Sequence, residues 1–411
     1  MKSGKTNRRI ALIGVGGHAA QHLATIRHLE KSGRVRLVAV ADPFLERLPE
    51  VFESLVAAGV RCHRTHEDLL GAESGLDEVV ISTPISLHEE MTRDVLARTG
   101  AGILLEKPAV PTIQQLDKLI ALDSSSRVRV GFQMIHWPTV QFMKRLLCEG
   151  GAGTLRRIVV SAGWPRGSRY YRRASWAGKM VCNGAPVFDG PATNALAHIL
   201  HNAMFFADSS PRSFASPEVV RGEFYRCRKI ESYDFAWMQA DLGGVEFSAA
   251  LAHCVREKVP YRMRLDTDRG SLFFSEEAPH ISNTLGLETE LNYTRSVVKN
   301  ELYDAFLGEG NRPTTLVDAR GYTVLNCGAL VSSGHIRDIP SSEVVCDGEN
   351  EDVIGLHAYL SAFLEKPLPP SAAGFSWGTA SQPVDCRALR SVDLLSPGQP
   401  QAAVPLEPCR P

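Results

Sequence analysis

The sequence predicts an α/β protein of two domains: a doubly wound parallel sheet, then an α+β domain with an open, mainly antiparallel sheet. Three observations predict it. Strand-like and helix-like segments alternate up to about residue 135, short strands then follow one another from about residue 154, and 411 residues exceed one ordinary core. The expected boundaries are 1–135, 136–366 and a Pro-rich arm or tail over 367–411.

The first domain opens with RRIALIGVGG, a short apolar run ending in glycines, and HAAQHLATIRHLEKSG follows with helical spacing of Ala19, Leu23, Ile26 and Leu29. The turn between them carries Gly14, Gly16 and Ala19 as G-x-G-x-x-A, with Gly17 and His18 inside it. Small residues there let the backbone come close to a pyrophosphate at the helix N-terminus, as in a Rossmann domain. The strand VRLVAVAD ends on Asp42, 26 residues after Gly16, where a carboxylate accepts hydrogen bonds from ribose hydroxyls. It also repels a 2′-phosphate, so NAD is favoured, and Arg47 nearby leaves NADP open.

The alternation continues through EVVISTP, HEEMTRDVLARTG, AGILLEKP, PTIQQLDKLIALDSS and RVRVGFQM. Ligands of such sheets bind outside the carboxyl ends of the strands. This brings Ser82, Thr83 and Pro84, Glu106 and Lys107, and Gln133 to the ligand side, with His88 closing STPISLH. Lys107 sits between a strand and a proline, so its ammonium is held near the sheet edge, where it could polarise a carbonyl or hydroxyl oxygen. The other reading is a surface lysine paired with Glu106.

From Thr154 the segments TLRRIVVSAG, VVRGEFYRC, DFAWMQADL, VEFSAALAHC, YRMRLDTD and GSLFFSE read as consecutive strands. Before them in interest comes a basic, aromatic stretch with Tyr170, Tyr171, Arg172, Arg173, Trp176 and Lys179, suited to a sugar face and an acidic group or to an ordinary solvated loop. DGPATNALAHILHNAMFF is expected to be helical, with Asn194, His198 and His201 on one face. For His201 a hydrogen-bonded core position is the favoured reading. His253 is expected on the packed side of its strand, and ESYD is expected to begin a strand, with Tyr233 able to line the cleft. VIGLHAYLSAFLEK is expected to be an amphipathic packing helix.

Composition excludes several classes. With 44% apolar and 22% charged residues the chain is ordinary for a globular protein. Lys plus Arg (45) nearly cancels Asp plus Glu (46), so no global field favours a nucleic acid or an anionic membrane. The apolar run near the N-terminus is too short for a signal peptide, and no stretch approaches the ~18 to 20 apolar residues of a membrane span. Nine cysteines without a CxxC pair read as reduced thiols of a cytoplasmic protein. Cys62, His63 and His66 fall in one loop with no fourth ligand at a metal spacing, so no metal is expected.

GVGGHA, VAVADP, STPISLH, LLEKPAV and GFQMIHWPTVQFMKRLL, in this order, resemble the Gfo/Idh/MocA family of NAD(P)-dependent oxidoreductases, over roughly residues 8–345. The resemblance implies that Lys107 lies beside the nicotinamide and the substrate hydroxyl, with the peptide before Pro108 often cis. It implies that Asn194 stands where the family usually has an Asp, and His198 where it has a His. Asn194 can orient a hydroxyl without exchanging a proton, whereas His198 and Lys107 form the proton-handling pair. YY, WAG, DGP-NALAH and IESYD recur in a branch of the family. The implied activity is hydride transfer with a sugar, cyclitol or related polyol, and a homodimer or homotetramer is implied by the resemblance alone. A redox-cycling enzyme of glycosidase or epimerase type and a non-catalytic dinucleotide-dependent regulator are the alternatives.

Overall fold

The computed structural model describes residues 7–276, 281–287, 299–394 and 402–403. The chain divides into two compact units, and the division takes more than one cut. Met1–Val110, Gln115–His136 and Arg295–Ala319 form the first, while Pro111–Gln114, Trp137–Thr294 and Arg320–Pro411 form the second.

In the first unit a six-stranded sheet has the order β3-β2-β1-β4-β5-β6. Its strands are β1 (Arg8–Ile13), β2 (Val35–Ala41), β3 (Arg61–His63), β4 (Glu78–Ile81), β5 (Gly102–Leu105) and β6 (Val128–Val130). All the pairings are parallel. The helices α1 (Ala19–Lys31), α2 (Pro49–Ala57), α3 (His66–Ala72), α4 (His88–Arg98) and α5 (Ile113–Leu122) make the crossovers. Strands covered on both faces must be apolar throughout, and Ile10, Leu12, Val40, Val80 and Leu104 are buried in one cluster with Ile26 and Leu29 of α1. Leu302, Tyr303 and Phe306, from the helix Asn300–Phe306, complete that cluster. Segment 295–319 therefore belongs to this unit by packing, and Val130 N also donates to Thr314 O at 2.9 Å.

One expectation is corrected here. Cys62 and His63 are not in a loop: Arg61–His63 is a strand paired with Ala39–Ala41. Three residues reading Arg-Cys-His carry no apolar run, and only the neighbouring strand's backbone defines them as an edge.

The second unit is built on a nine-stranded sheet. Its helices and strands are α6 (Pro138–Cys148), β7 (Leu155–Gly163), α7 (Ser168–Arg172), a hairpin of β8 (Val181–Cys182) and β9 (Ala185–Pro186), and α8 (Ala197–Ala207). They continue with β10 (Val219–Arg226), β11 (Phe235–Asp241), β12 (Glu246–Ala252), β13 (Val259–Thr267), β14 (Ser271–Ser275) and β15 (Ser282–Asn283). After α9 (Asn300–Phe306) of the first unit and α10 (Leu316–Ser333) come β16 (Arg337–Asp338), β17 (Val344–Cys346), β18 (Glu351–Val353) and α11 (Leu356–Ala362). The path β15-β14-β13-β7-β12-β11-β10-β16 is antiparallel except where β7 meets β12 and β10 meets β16. Along β13, Val259, Tyr261, Met263 and Leu265 are buried and alternate with partly exposed residues. Leu356 and Leu360 of α11 pack with Phe363, Phe235, Trp237 and Val159 in a second core.

Over the part that is described, the Pro-rich stretch packs on the second unit. Trp377 enters that second core, β19 (Val384–Asp385) pairs with β10, and Ser371 Oγ donates to Glu223 at 2.5 Å. Its last strands, β20 (Ser391–Val392) and β21 (Ala402–Ala403), pair with each other. Residues 395–401 and 404–411 lie outside the described residues. Among the described residues no helix is long and apolar enough to cross a membrane.

The expected helix over DGPATNALAHILH is also corrected, because residues 191–196 form turns and α8 begins only at Ala197. The Asn194 amide donates across the turn to Asp189 Oδ1 at 2.8 Å, a local bond that competes with the helical ladder. Gly190 is required beside it, since a Cβ there would lie 2.4 Å from the Tyr233 ring.

Candidate functional site

In the first unit the turn after β1 is shaped by Gly14 at φ +85° and Gly17 at φ +59°. A Cβ on Gly14 would stand 2.4 Å from the Ser82 carbonyl oxygen, so only glycine lets the turn press against the end of β4. Asp42 staples the turn from the other side. Its Oδ2 accepts from the Val15 and Gly16 amides at 2.8 and 3.3 Å, and its Oδ1 from the Phe44 amide at 2.8 Å. The sequence reading gave this carboxylate a ribose, and the structure adds a bond to the loop itself. A carboxylate has acceptor capacity beyond these bonds. Among the described residues, the Gly17 and His18 amides at the head of α1 take no hydrogen-bond acceptor. This is the donor set that an anion at a helix N-terminus uses, so the residues present fit a dinucleotide.

His88 is packed between the neighbouring strand ends. Its Nε2 is 3.0 Å from Thr83 O, and its Nδ1 is 3.0 and 3.1 Å from Pro108 O and Ala109 O. Burial pushes its pKa down against those carbonyls, and the neutral ring has one N–H to donate, either to Thr83 O or to the Pro108 and Ala109 carbonyls. Ser82 N donates to Ile13 O at 2.9 Å, Thr83 Oγ1 contacts Met91 Sδ at 3.4 Å, and Pro84 precedes a short 3₁₀ turn. Gln133 opens another such turn after β6, its Oε1 buried.

Glu106 and Lys107 follow β5, and the Lys107–Pro108 peptide is cis. The Glu106 carboxylate is almost wholly buried at 5% exposure, yet it is surrounded. Lys299 Nζ and His22 Nε2 reach its Oε1, the latter at 2.9 Å, with His18 Nε2 at 3.4 Å. Its Oε2 accepts the Lys107 amide at 2.9 Å. Burial works to raise the Glu106 pKa, but the Lys299 charge and the histidine hydrogen bonds outweigh it and hold it well below the carboxylate range. Burial, then Lys299, push His22 down to about 4. The neutral ring therefore donates from Nε2 to Glu106 and accepts at Nδ1 from the Tyr303 hydroxyl, 3.0 Å away. Sequence reasoning placed Glu106 on the cofactor side of the sheet or paired it with Lys107, and missed Lys299 and Tyr303. No local signal could find them, because Lys299 lies 193 residues from Glu106.

The second unit gathers its own cluster. Asn194 Nδ2 donates to Asp189 Oδ1 and, at 3.2 Å, to the Tyr170 hydroxyl, while the Gly178 amide donates to Asp189 Oδ2 at 2.7 Å. Asp189 is 5% exposed. It is the carboxylate that sequence reasoning passed over, five residues before the Asn that holds the family's Asp position. Burial, then the Asp189 charge, push the Tyr170 pKa up. His198 lies buried in the first turn of α8. His201 is fully buried, its ring 4.7 Å from Phe214.

The aromatic and basic stretch is sorted by its partners. Arg173 lies 3.5 Å from the Tyr170 ring centre and 4.8 Å from that of Trp176. Arg172 is turned to Glu349 and Lys179 to Glu231. His253 is buried against Tyr170 and Tyr171, and burial, then Arg166, hold its pKa well below the ordinary value. Tyr233 does not line a cleft: it is fully buried and stacks on Phe224 at 4.5 Å, two residues before β11. His66 sits with Glu67 and Asp94, both 3.0 Å away, instead of with Cys62.

With this geometry in view, residues 8–134 match the Gfo/Idh/MocA model, described as an oxidoreductase family with an NAD-binding Rossmann fold. The match spans the parallel sheet of the first unit, which is thus similar to the NAD-binding Rossmann domain of that family. Curated relatives include inositol 2-dehydrogenases of Rhizobium meliloti, 26% identical over 156 residues, and Rhodococcus jostii, 31% identical over 156 residues. These matches cover 38% and 37% of this chain, and only 44% and 40% of the two relatives. Among solved structures, the WlbA dehydrogenase of Bordetella pertussis, in complex with NADH and UDP-GlcNAcA, aligns at TM-score 0.64 and 20% identity, over 78% of this chain and 94% of that one. A myo-inositol dehydrogenase of Corynebacterium glutamicum aligns at TM-score 0.59 and 19% identity, over 79% and 96%. At such identity the likeness is one of fold, and it extends past the Rossmann domain into the second unit.

Proposed function

We propose that the protein is an NAD-dependent oxidoreductase acting on a secondary alcohol or ketone of a sugar, cyclitol or related polyol. The observation that carries the reading is the Gly14 turn, stapled by Asp42 and pressed on Ser82, within the stretch that matches an NAD-binding oxidoreductase family. The named relatives are inositol dehydrogenases, which is the support for a polyol. NAD held there supplies a hydride acceptor or donor at nicotinamide C4.

The chain's own groups do the rest. The Gly17 and His18 amides with the α1 dipole bind the pyrophosphate, and Asp42 accepts from the ribose. The Lys107 ammonium donates to the reacting oxygen, and its backbone is held by Glu106 Oε2. His198 takes or returns the hydroxyl proton, while Asn194, fixed by Asp189 and Tyr170, orients the substrate.

Absorbance at 340 nm, followed with NAD and a panel of sugars and inositols, tests the proposal. A change is expected with at least one polyol, and Lys107→Ala is expected to lower kcat/KM by about a hundredfold or more with NAD still bound, in line with loss of a proton-handling group. If NAD binds and no polyol or keto-sugar alters its redox state, the regulator reading replaces this one.

A further inference from the structure

We propose that the second unit binds an anionic sugar, with the acid group held by Arg166 and Arg173 beside Tyr170. This rests on the polyol reading above for the sugar and on the structure for the charge.

The basic residues of this region do not share one fate. Arg172 is paired with Glu349, Lys179 with Glu231, and Arg228 with Asp234 at 3.0 Å and Glu351 at 2.6 Å. Among the described residues no carboxylate pairs with Arg166 or Arg173. Arg166 is only half-exposed, and its Nε is buried without a hydrogen-bond partner. Its guanidinium carbon lies 4.8 Å from the Tyr170 ring centre and 5.7 Å from that of Trp164, and its backbone amide is tied to His253 O at 3.1 Å. Arg173 Nη1 donates to Tyr170 O at 2.7 Å, which fixes that fork too. Two guanidinium planes are thus pre-set around one ring.

The hydroxyl end of the same ring has the opposite character. Tyr170 Oη accepts from Asn194, and Asn194 is bonded to the Asp189 carboxylate. The cluster therefore offers the two guanidiniums for an acid, and Asn194, Asp189 and Tyr170 for neighbouring hydroxyls. His253 completes it without competing, because burial and the Arg166, Arg228 and Arg173 charges keep it neutral. A ligand with an acid group and neighbouring hydroxyls matches this division, whereas a neutral polyol leaves both forks unused.

The test uses the full chain with NAD, titrated calorimetrically with D-glucuronate, glucose 6-phosphate and glucose, alongside the 340 nm assay. An acid is expected to bind at least tenfold tighter than glucose. Arg173→Gln and Arg166→Gln are each expected to weaken the acid by about ten- to a hundredfold, as for a charge-assisted bond, and to leave glucose unchanged. Arg166→Lys should recover part of that loss. Arg173 is exposed, so its variant decides the matter if Arg166→Gln does not fold. Whichever of glucuronate and the phosphate binds tighter names the acid. Equal affinity for all three probes, or no acid binding at millimolar concentration, overturns the inference. Arginine-dependent acid binding without an absorbance change upholds it and removes the dehydrogenase reading, and turnover indifferent to charge does the reverse.

Discussion

Lys299 is the residue on which the first unit's polar interior turns. Its ammonium, itself buried, meets a carboxylate at 5% exposure, with two histidines and a tyrosine close by. Removing one partner of a buried pair leaves an uncompensated charge, which costs about 3 to 5 kcal/mol. Lys299→Met is therefore expected to lower the urea unfolding free energy by about that amount, and Glu106→Gln in the same chain to restore part of it. Equal destabilisation in the single and double variants would mean that packing, not charge, sets the cost. The same Glu106 holds the Lys107 amide, so the variant is also expected to lower turnover.

At the scale of elements, the β1–turn–α1 unit shows two kinds of glycine. Gly14 has a positive φ and a carbonyl in the way of any side chain, whereas Gly17 has a positive φ and nothing within 4 Å of a Cβ. Gly17→Ala is expected to cost about 1 to 2 kcal/mol from the backbone alone. Gly14→Ala adds a clash with the Ser82 carbonyl and is expected to cost more and to weaken NAD binding at least tenfold, as read by fluorescence titration. Comparable losses in the two variants would refute this division. The G-x-G-x-x-A turn and the strand ending on Asp42 were legible because small residues and a carboxylate are local signals. The start of α8 was not, since the apolar spacing of DGPATNALAHILH fits a helix throughout, and only the Asp189–Asn194 bond and the Tyr233 ring over Gly190 shorten it.

For the whole molecule the buried histidines set the response to acid. His136 is 2% exposed, and burial pushes its pKa down to about 4 from an ordinary value near 6.5. Between those values the unfolded chain binds a proton that the folded chain refuses, so stability falls as pH drops from about 6.5 to about 4, by up to about 3 kcal/mol. His22 acts in the same window and direction. Glu106, depressed when folded, contributes above the unfolded carboxylate pKa and loses that contribution only at still lower pH. Urea midpoints are expected to be level above about pH 7 and to fall below it, with His136→Leu flattening part of the slope. A midpoint indifferent to pH from 7 to 4 would exclude this account.

What the sequence determined by itself was the parallel sheet and its phosphate turn, the strand order of type along the second unit, and Lys107 at a strand end, because periodicity, glycine placement and proline act over a few residues. Long-range packing, by contrast, sets Asp42 as the staple of the loop, returns 299–319 to the first unit with Lys299 and Tyr303, and selects which arginines near Tyr170 are already paired. Those facts depend on which charges come within a few ångströms after the chain has closed loops of tens to hundreds of residues, and the order of residues along the chain carries no record of such distances.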